Sequence, residues 1–238
     1  MAELSGKVAL VTGASRGAGR VIALRLAKAS AAVAILARGR DKLEAVAGEI
    51  QAKGGQALVV VADVADAQAV EAGVAAAEAR FGGLDILVNN AGIGPNGPSA
   101  SFPLETWREV LDTNLTGPFV CSRAVYPALK RRGGGQIIAI ASGAARQGYP
   151  RLAAYSASKF GLVGLMQALA AEWGGDGIKV STILPGSILT GFGGRSADER
   201  SRETGRKYIR PEDVADAVVY LLTQPVHAWT QEMNLWPF

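Results

Sequence analysis

The chain has 238 residues, of which 49% are hydrophobic and 19% are charged, so it can bury a sizeable core in one α/β domain. Its net charge of +4 comes from basic residues interleaved with acids, a pattern that argues against nucleic-acid binding. No apolar run approaches the ~18 residues that cross a bilayer, and no secretion signal is visible. Cys121 is the single cysteine and His227 the single histidine, which excludes an internal disulfide, disfavours a metal site and fits a cytoplasmic location.

Apolar strand patterns alternate with helical patterns along the whole chain. Strands are predicted over 8–11, 32–37, 57–62, 86–89, 136–141, 179–184 and 232–235, and helices over 20–30, 41–52, 67–81, 104–131, 153–173 and 211–222. Nearly continuous apolar strands between amphipathic helices are typical of a parallel sheet covered on both faces. Residues 1–238 are therefore predicted to form a single doubly wound α/β domain, with a mostly parallel sheet of about seven strands.

The first strand runs through a glycine-rich loop into a helix. Gly13, Gly17 and Gly19 stand at this junction in the spacing G-x-x-x-G-x-G. Such a turn points free backbone N–H groups and the positive end of the helix dipole at one place, which suits a pyrophosphate. A plain strand-to-helix turn is the alternative interpretation of the same glycines.

Further candidates stand just past the next strands, where ligands of such sheets bind. In NAD-binding sheets an acidic residue after the second strand binds the ribose 2′-hydroxyl, but Ala37 and Arg38 stand at that place here. Arg38, together with Arg16 of the glycine-rich loop, suits a 2′-phosphate instead. The alternative is that Arg38 is a solvated surface charge and that Asp41 caps the next helix. Asp63 either accepts from an adenine amino group or caps a helix. The segment 89–92, Asn-Asn-Ala-Gly, either lines a flat ligand or forms a turn.

A third group of candidates could perform acid–base chemistry. Ser142 ends the fifth strand, and Tyr155 and Lys159 lie four residues apart on one face of the following helix. A phenol is a useful general acid when its pKa is drawn toward the working pH, and a nearby ammonium group does this. Ser142 adds a hydroxyl for the substrate oxygen.

Together these motifs resemble the short-chain dehydrogenase/reductase family. The match rests on Thr12-Gly13-x3-Gly17-x-Gly19, Asn89-Asn90-Ala91-Gly92, Asn114, Ser142, Tyr155-x3-Lys159 and Pro185-Gly186, in this order. The resemblance implies a Rossmann-fold oxidoreductase that uses a nicotinamide cofactor. The Ala37-Arg38 pattern resembles that of the NADP-preferring members. It implies these catalytic residues: Tyr155 as proton donor or acceptor, Lys159 to lower its pKa and hold the nicotinamide ribose, Ser142 to orient the carbonyl, and Asn114 to anchor a water.

The resemblance also implies the cofactor contacts and the substrate pocket. The NADP(H) contacts would be Gly13, Ser15, Arg16, Gly17, Ala18, Gly19, Arg38, Asp63, Val64, Asn90, Ala91, Gly92, Tyr155, Lys159, Pro185, Gly186, Ile188 and Thr190. The substrate pocket would contain Ile93, Ser142, Tyr149, Leu152 and Phe192, with a loop over about 187–207 as its lid. Arg146, Gln147 and Arg151 would stand nearer the mouth of this pocket.

The expected partner is a small-molecule carbonyl compound. A 3-oxoacyl-[acyl-carrier-protein] reductase is the alternative, disfavoured because Gly133 and Asp176 stand where that resemblance would put basic carrier-docking residues. A non-catalytic dinucleotide-binding regulator is a distant alternative, since Ser142, Tyr155 and Lys159 are all present. The helices over 104–131 and 153–173 are expected to pair in a homodimer, and the atypical C-terminus leaves a homotetramer open.

Overall fold

A computed structural model of the protein describes residues 3–194, 196–202, 205 and 207–238. Its centre is a seven-stranded sheet in the order β3-β2-β1-β4-β5-β6-β7, in which every pair of neighbours is parallel. The strands are β1 Val8–Thr12, β2 Ala32–Ala37, β3 Ala57–Val61, β4 Ile86–Asn89, β5 Gly135–Ile140, β6 Ile178–Pro185 and β7 Glu232–Leu235. This confirms the predicted doubly wound α/β fold.

Helices cover both faces of the sheet. They are α1 Gly17–Lys28, α2 Arg40–Gln51, α3 Ala67–Phe81, α4 Leu104–Leu111, α5 Gly117–Arg131, α6 Ala153–Trp173, α7 Ala197–Ser201 and α8 Pro211–Leu222. Successive side chains of a strand point to opposite faces: Ala9 and Val11 of β1 join one core with α1, α2 and α8, whereas Val8 and Leu10 join the other with α3, α5 and α6. In the described part of the chain, every helix is too short or too polar to span a membrane.

The order of the strands determines where a ligand can bind. The chain leaves β1 toward β2 on one side of the sheet and later returns to β4 on the other side. The loops after β1 and β4 therefore separate above the carboxyl ends of the strands, and such a switch point leaves a crevice. The glycine-rich loop and the segment 89–92 border this crevice.

The prediction of one continuous helix over 104–131 is wrong, because the helix is interrupted in its middle. A π-helical turn, Asp112–Thr116, separates α4 from α5, and the N–H of Gly117 bonds the carbonyl of Asp112 five residues earlier. Pro118 follows in the first turn of α5. Because proline has no N–H, it cannot donate to the carbonyl of Asn114 four residues earlier, as a regular α-helix requires. The turn places the Asn114 side chain in the interior, fully buried.

Candidate active site

The glycines of the loop after β1 allow it to pack closely against the end of β4. A Cβ atom at Gly13 would lie 2.8 Å from the Cα of Ala91, and one at Gly19 would lie 2.3 Å from the Nδ2 of Asn90. Gly13 and Gly17 also have φ values of +65° and +56°, which glycine adopts at little cost. The loop shape therefore depends on these glycines before any ligand is considered.

Thr12 and Asn90 hold the glycine-rich loop in place. The Oγ1 of Thr12 accepts the N–H groups of Asn90 and Ala91, each at 3.0 Å. In return, the Nδ2 of Asn90 donates to the carbonyl of Thr12 at 3.0 Å and to that of Gly13 at 3.4 Å. Asn90, expected near a cofactor ribose, thus has a structural role here. The structural role of Thr12 was not predicted, although Thr12 directly precedes Gly13.

The N-terminus of α1 can receive an anion. Arg16 precedes the helix in extended conformation, and no side chain among the described residues caps its first turn. The first turn, which includes Ala18, carries no acidic residue. Across the crevice, a Cβ at Gly17 would lie 3.8 Å from the Cβ of Thr190. The unpaired N–H groups and the helix dipole suit a phosphate, so these residues fit the pyrophosphate of a dinucleotide, and Ser15 in the same loop stays a predicted contact.

Arg38 and Asp63 lie together at the ends of β2 and β3. The Nη1 of Arg38 is 3.7 Å from the Oδ2 of Asp63, and 67% of the Arg38 side chain is exposed. Asp63 accepts the N–H of Ala65 at 3.0 Å, whereas Asp66 caps α3. The capping alternative for Asp63 is therefore wrong. A cleft of about 330 Å³ opens beside these two side chains, lined also by Ala65, Glu105, Arg108, Glu109, Asp112 and Thr113.

Val64 and Asp41, near this end of the crevice, have structural roles, and the cofactor contact of Val64 stays a prediction. Val64 is buried and packs against Gly117, where a Cβ would lie 2.6 Å from its Cγ2. Gly39, not Asp41, occupies the N-cap position of α2, and Asp41 lies in the first turn. Asp41 therefore stabilises the helix through its charge near the positive end of the dipole, and the alternative that it caps the helix is wrong.

Asn114 ties the loop after β4 to α6. Its Oδ1 accepts the N–H of Ile93 at 2.8 Å, and its Nδ2 donates to the carbonyl of Ile93 at 2.8 Å and to the Oγ of Ser158 at 3.1 Å. Ser158, also fully buried, donates to the carbonyl of Tyr155 at 2.7 Å. The Asn114 side chain thus fixes Ile93 and the first turns of α6, and its role as a water anchor stays a prediction.

Ser142, Tyr155 and Lys159 meet where β5 ends and α6 begins. The Ser142 side chain is close enough to the Tyr155 phenol to lower its pKa, and the Nζ of Lys159 lies 5.8 Å from the centre of the Tyr155 ring. The Oγ of Ser142 also accepts the N–H of Ala144 at 3.1 Å, which fixes its position. The Nζ of Lys159 donates to the carbonyl of Ile140 at 2.9 Å.

Burial dominates the electrostatics of this cluster. It raises the pKa of Tyr155, a shift that the hydrogen bond from Ser142 partly offsets. It lowers the pKa of Lys159 from 10.5 to about 8. The expected lowering of the phenol pKa by the ammonium group is therefore not what the structure shows, because loss of water penalises both charged forms.

Phe192 packs against the Tyr155 ring. The two ring centres are 5.7 Å apart, and the planes are tilted by 55°. A Cβ at Gly94, next to Ile93, would lie 2.6 Å from the Cε1 of Phe192, so the loop after β4 and the loop after β6 close on the phenol from two sides. Tyr149 and Leu152 are half-buried just before α6 and stay predicted substrate contacts.

The remaining candidates follow β6. Pro185 ends the strand, and Gly186 donates its N–H to the carbonyl of Leu235 at 2.8 Å. Ile188 forms a parallel bridge with Ile209 that brings the two ends of the predicted lid together. Residues 195, 203, 204 and 206 of that lid lie outside the described residues. Arg146, expected near the pocket mouth, pairs with Glu232 of β7.

The chain is similar to known oxidoreductases in its sequence. A family model described as short chain dehydrogenase matches residues 7–201. The chain is 40% identical over 226 residues to the D-threitol dehydrogenase of Mycolicibacterium smegmatis, an alignment that covers 92% of this chain and 86% of that protein. It is 38% identical over 232 residues to a 3-oxoacyl-[acyl-carrier-protein] reductase of Synechocystis, covering 96% and 94%.

Solved structures of similar sequence have the same fold as this chain. An alcohol dehydrogenase from Thermococcus sibiricus complexed with 5-hydroxy-NADP superposes with a TM-score of 0.89 at 32% identity, covering 96% of this chain and 95% of that one. A metagenomic short-chain oxidoreductase in complex with NADP gives 0.86 at 37% identity, covering 99% of both. The matched motifs, sheet order and relatives identify this chain as an oxidoreductase of the short-chain dehydrogenase family.

Proposed function

We propose that the protein reduces a neutral ketone to a secondary alcohol with NADPH, and catalyses the reverse reaction, with Tyr155 as the general acid and base. The observation that carries this proposal is the cluster of Ser142, Tyr155 and Lys159, which lies at the same edge of the sheet as the uncapped N-terminus of α1. When bound, NADPH supplies the hydride that reaches the carbonyl carbon. Tyr155 gives its proton to the carbonyl oxygen, and Ser142 donates a hydrogen bond that orients this oxygen.

Lys159 serves this step in two ways. Its buried ammonium group favours the phenolate that remains after the proton has left Tyr155, because opposite charges attract strongly where water is excluded. It also lies close to the crevice, since a Cβ at Gly92 would be 3.8 Å from its Nζ. It can therefore hold the nicotinamide ribose, as the family resemblance implies.

The preference for NADP(H) is supported by Arg38. Its guanidinium is largely exposed at the end of β2, and its pairing partner, Asp63, is 3.7 Å away and partly exposed too. Ala37 stands directly before it, where a carboxylate would repel a 2′-phosphate. An arginine binds a phosphate with two hydrogen bonds and cannot lose its charge at neutral pH, so the 2′-phosphate of NADPH would gain a partner that NADH lacks.

A neutral substrate is supported by the groups nearest to Tyr155. The apolar Phe192 ring has its centre 5.7 Å from that of Tyr155, and a Cβ at Gly94, in the loop after β4, would lie 3.4 Å from the Cδ2 of Tyr155. The 3-oxoacyl carrier-protein reductase stays the second candidate because such a reductase is among the 38% identical relatives. The expected carrier-docking positions offer little positive charge: Asp176 is acidic and pairs with Lys130, and Arg132, which could replace a basic residue at Gly133, pairs with buried Asp85.

The test is NADPH consumption by the wild-type protein and by Tyr155→Phe. The substrates are bulky neutral ketones, short charged oxo acids and 3-oxoacyl thioesters, with D-threitol and NADP⁺ for the reverse direction, since a relative bears that name. We expect the highest kcat/KM with the bulky ketones, and loss of turnover with retained NADPH binding in the variant. Near-wild-type turnover by Tyr155→Phe would refute the mechanism, and fastest reaction of the thioesters would favour the second candidate.

Assembly and location complete the proposal. Exposed Phe119 on α5 and exposed Phe160 on α6 support pairing of these two helices in a homodimer. Light scattering at micromolar concentration tests this, and a monomer there would contradict it. The single, buried Cys121 fits the reducing cytoplasm.

A further inference from the structure

The indole ring of Trp236 lies between two loops of the candidate active site. It follows β7 directly, where the carbonyl of Leu235 accepts the N–H of Gly186 at 2.8 Å. A Cβ at Gly143 would lie 2.7 Å from the Cη2 and 2.9 Å from the Cζ2 of Trp236, whereas a Cβ at Gly186 would lie 3.0 Å from its Cε3 and 3.5 Å from its Cδ2. These two pairs of atoms form opposite edges of the six-membered ring, so each glycine packs against a different edge of it.

Both glycines directly follow residues of the proposed chemistry. Gly143 comes after Ser142, whose side chain influences the pKa of Tyr155. Gly186 comes after Pro185, a predicted nicotinamide contact. At either glycine a side chain would overlap the indole ring or its neighbour Pro237, so the tight packing depends on both lacking one. Trp236 as a whole residue is 53% exposed, which sets it apart from the residues of the two cores.

A second contact ties the Ser142 loop to the same C-terminal strand. Arg146, three residues after Gly143, donates to Glu232 of β7. Glu232 also accepts from the Nε2 of Gln167 on α6 at 2.9 Å. The loop after Ser142 is therefore attached to β7 near both ends of that strand, by an ion pair at Glu232 and by aromatic packing at Trp236.

We propose that Trp236 is a positioning residue, which fixes the spacing between the Ser142 loop and the Gly186 loop through its ring. This proposal rests on the proposed function of Ser142. Catalysis requires the reacting groups to be placed with a precision better than ~1 Å. A change in this spacing would therefore lower turnover by moving Ser142 and weaken cofactor binding by moving Gly186.

The experiment is a pair of double-mutant cycles. Gly143→Ala and Gly186→Ala are each made in the wild-type protein and in Trp236→Ala, with Trp236→Phe as the conservative variant. The matched control is Tyr220→Ala, which removes an aromatic side chain on α8 that is 56% exposed. The readouts are kcat and KM with trifluoroacetophenone, Kd for NADPH from its fluorescence, and Tm.

We expect Trp236→Ala and Gly143→Ala each to lower kcat by ~10-fold or more, with a smaller change in KM. In Trp236→Ala, Gly143→Ala should then cost less than ~3-fold, because the added methyl group no longer meets the ring. Trp236→Phe should retain kcat within ~3-fold, and Tyr220→Ala should match the wild type. Gly186→Ala should weaken NADPH binding in the wild type and much less in Trp236→Ala.

Equal effects of the glycine substitutions in both backgrounds would overturn the proposal, as would a Trp236→Ala protein with unchanged kcat and NADPH affinity. A lower Tm with unchanged kcat would likewise assign Trp236 a purely structural role. If the wild type binds NADPH but reduces no ketone, the proposed function fails by itself. The Gly186→Ala cycle then still decides on Trp236: coupling in NADPH affinity supports its positioning role, and additivity refutes it.

Discussion

Replacing Lys159 by methionine tests the electrostatics of the site in the cofactor-free protein. Lys159 is only 4% exposed, and burial lowers its pKa from 10.5 to about 8. The folded protein therefore binds this proton less tightly than the unfolded chain does, so the charged side chain destabilises the fold at neutral pH. At ~1.4 kcal/mol per pH unit, the cost is ~3 kcal/mol near pH 7.

This cost has a definite dependence on pH. It is fully present below about pH 8 and disappears as the pH rises from about 8 to 10.5, because the folded protein loses the proton first. Near pH 9.5 only ~1.4 kcal/mol remains. We expect Lys159→Met to raise the free energy of unfolding near pH 7 by ~2 kcal/mol, the gain being reduced by the lost hydrogen bond to Ile140. This advantage should shrink by ~2 kcal/mol between about pH 7 and pH 9.5.

The measurement is urea denaturation of both proteins across this pH range, followed by tryptophan fluorescence. Lys53→Met, at an exposed position after α2, is the matched control and should show no such pH dependence. It should also keep its turnover, whereas Lys159→Met should lose it. A difference in stability between Lys159→Met and the wild type that stays constant with pH would refute the reasoning that burial disfavours the charged lysine.

Two further changes test the cofactor and substrate ends of the crevice. Ala37→Asp combined with Arg38→Ala should reverse the preference for NADPH over NADH. A hydrogen bond to a charged group contributes ~1.5–3 kcal/mol, which corresponds to about ten- to a hundredfold in kcat/KM. Equal use of both cofactors by the wild type would contradict this prediction. Phe192→Ala should raise KM for bulky ketones by ~10-fold and for acetone much less, because the 39% exposed Phe192 packs against the Tyr155 ring. A uniform rise of KM across substrates would exclude Phe192 as a substrate contact.

The sheet and its ligand edge were predictable because one physical rule governs them. Parallel strands buried on both faces consist almost entirely of apolar residues, as in Val8–Thr12 and Ile86–Asn89. The polar and small residues that follow the strands must then lie at one edge of the sheet. The candidates Gly13, Arg38 and Ser142 were found in this way.

The π-helical turn at Asn114 escaped prediction because tertiary contacts decide it. Asn114 makes three hydrogen bonds to Ile93 and Ser158, partners that lie 21 and 44 residues away along the chain. Pro118 was the available signal, since a proline inside a helical pattern disturbs the bonds before it. The roles of Thr12 and Asn90 were hidden for a similar reason, because their bonds join β1 to β4 across more than 70 residues.

The protonation states of Tyr155 and Lys159 have a consequence for the direction of the reaction. Burial raises the pKa of the phenol and lowers that of the ammonium group, so at neutral pH Tyr155 carries its proton. Reduction consumes that proton, whereas oxidation of an alcohol needs the phenolate as its base. Oxidation with NADP⁺ should therefore speed up as the pH rises above neutrality, while reduction should slow as the phenol loses its proton. Profiles of kcat against pH in both directions test this, and oxidation that is fastest below about pH 7 would contradict it.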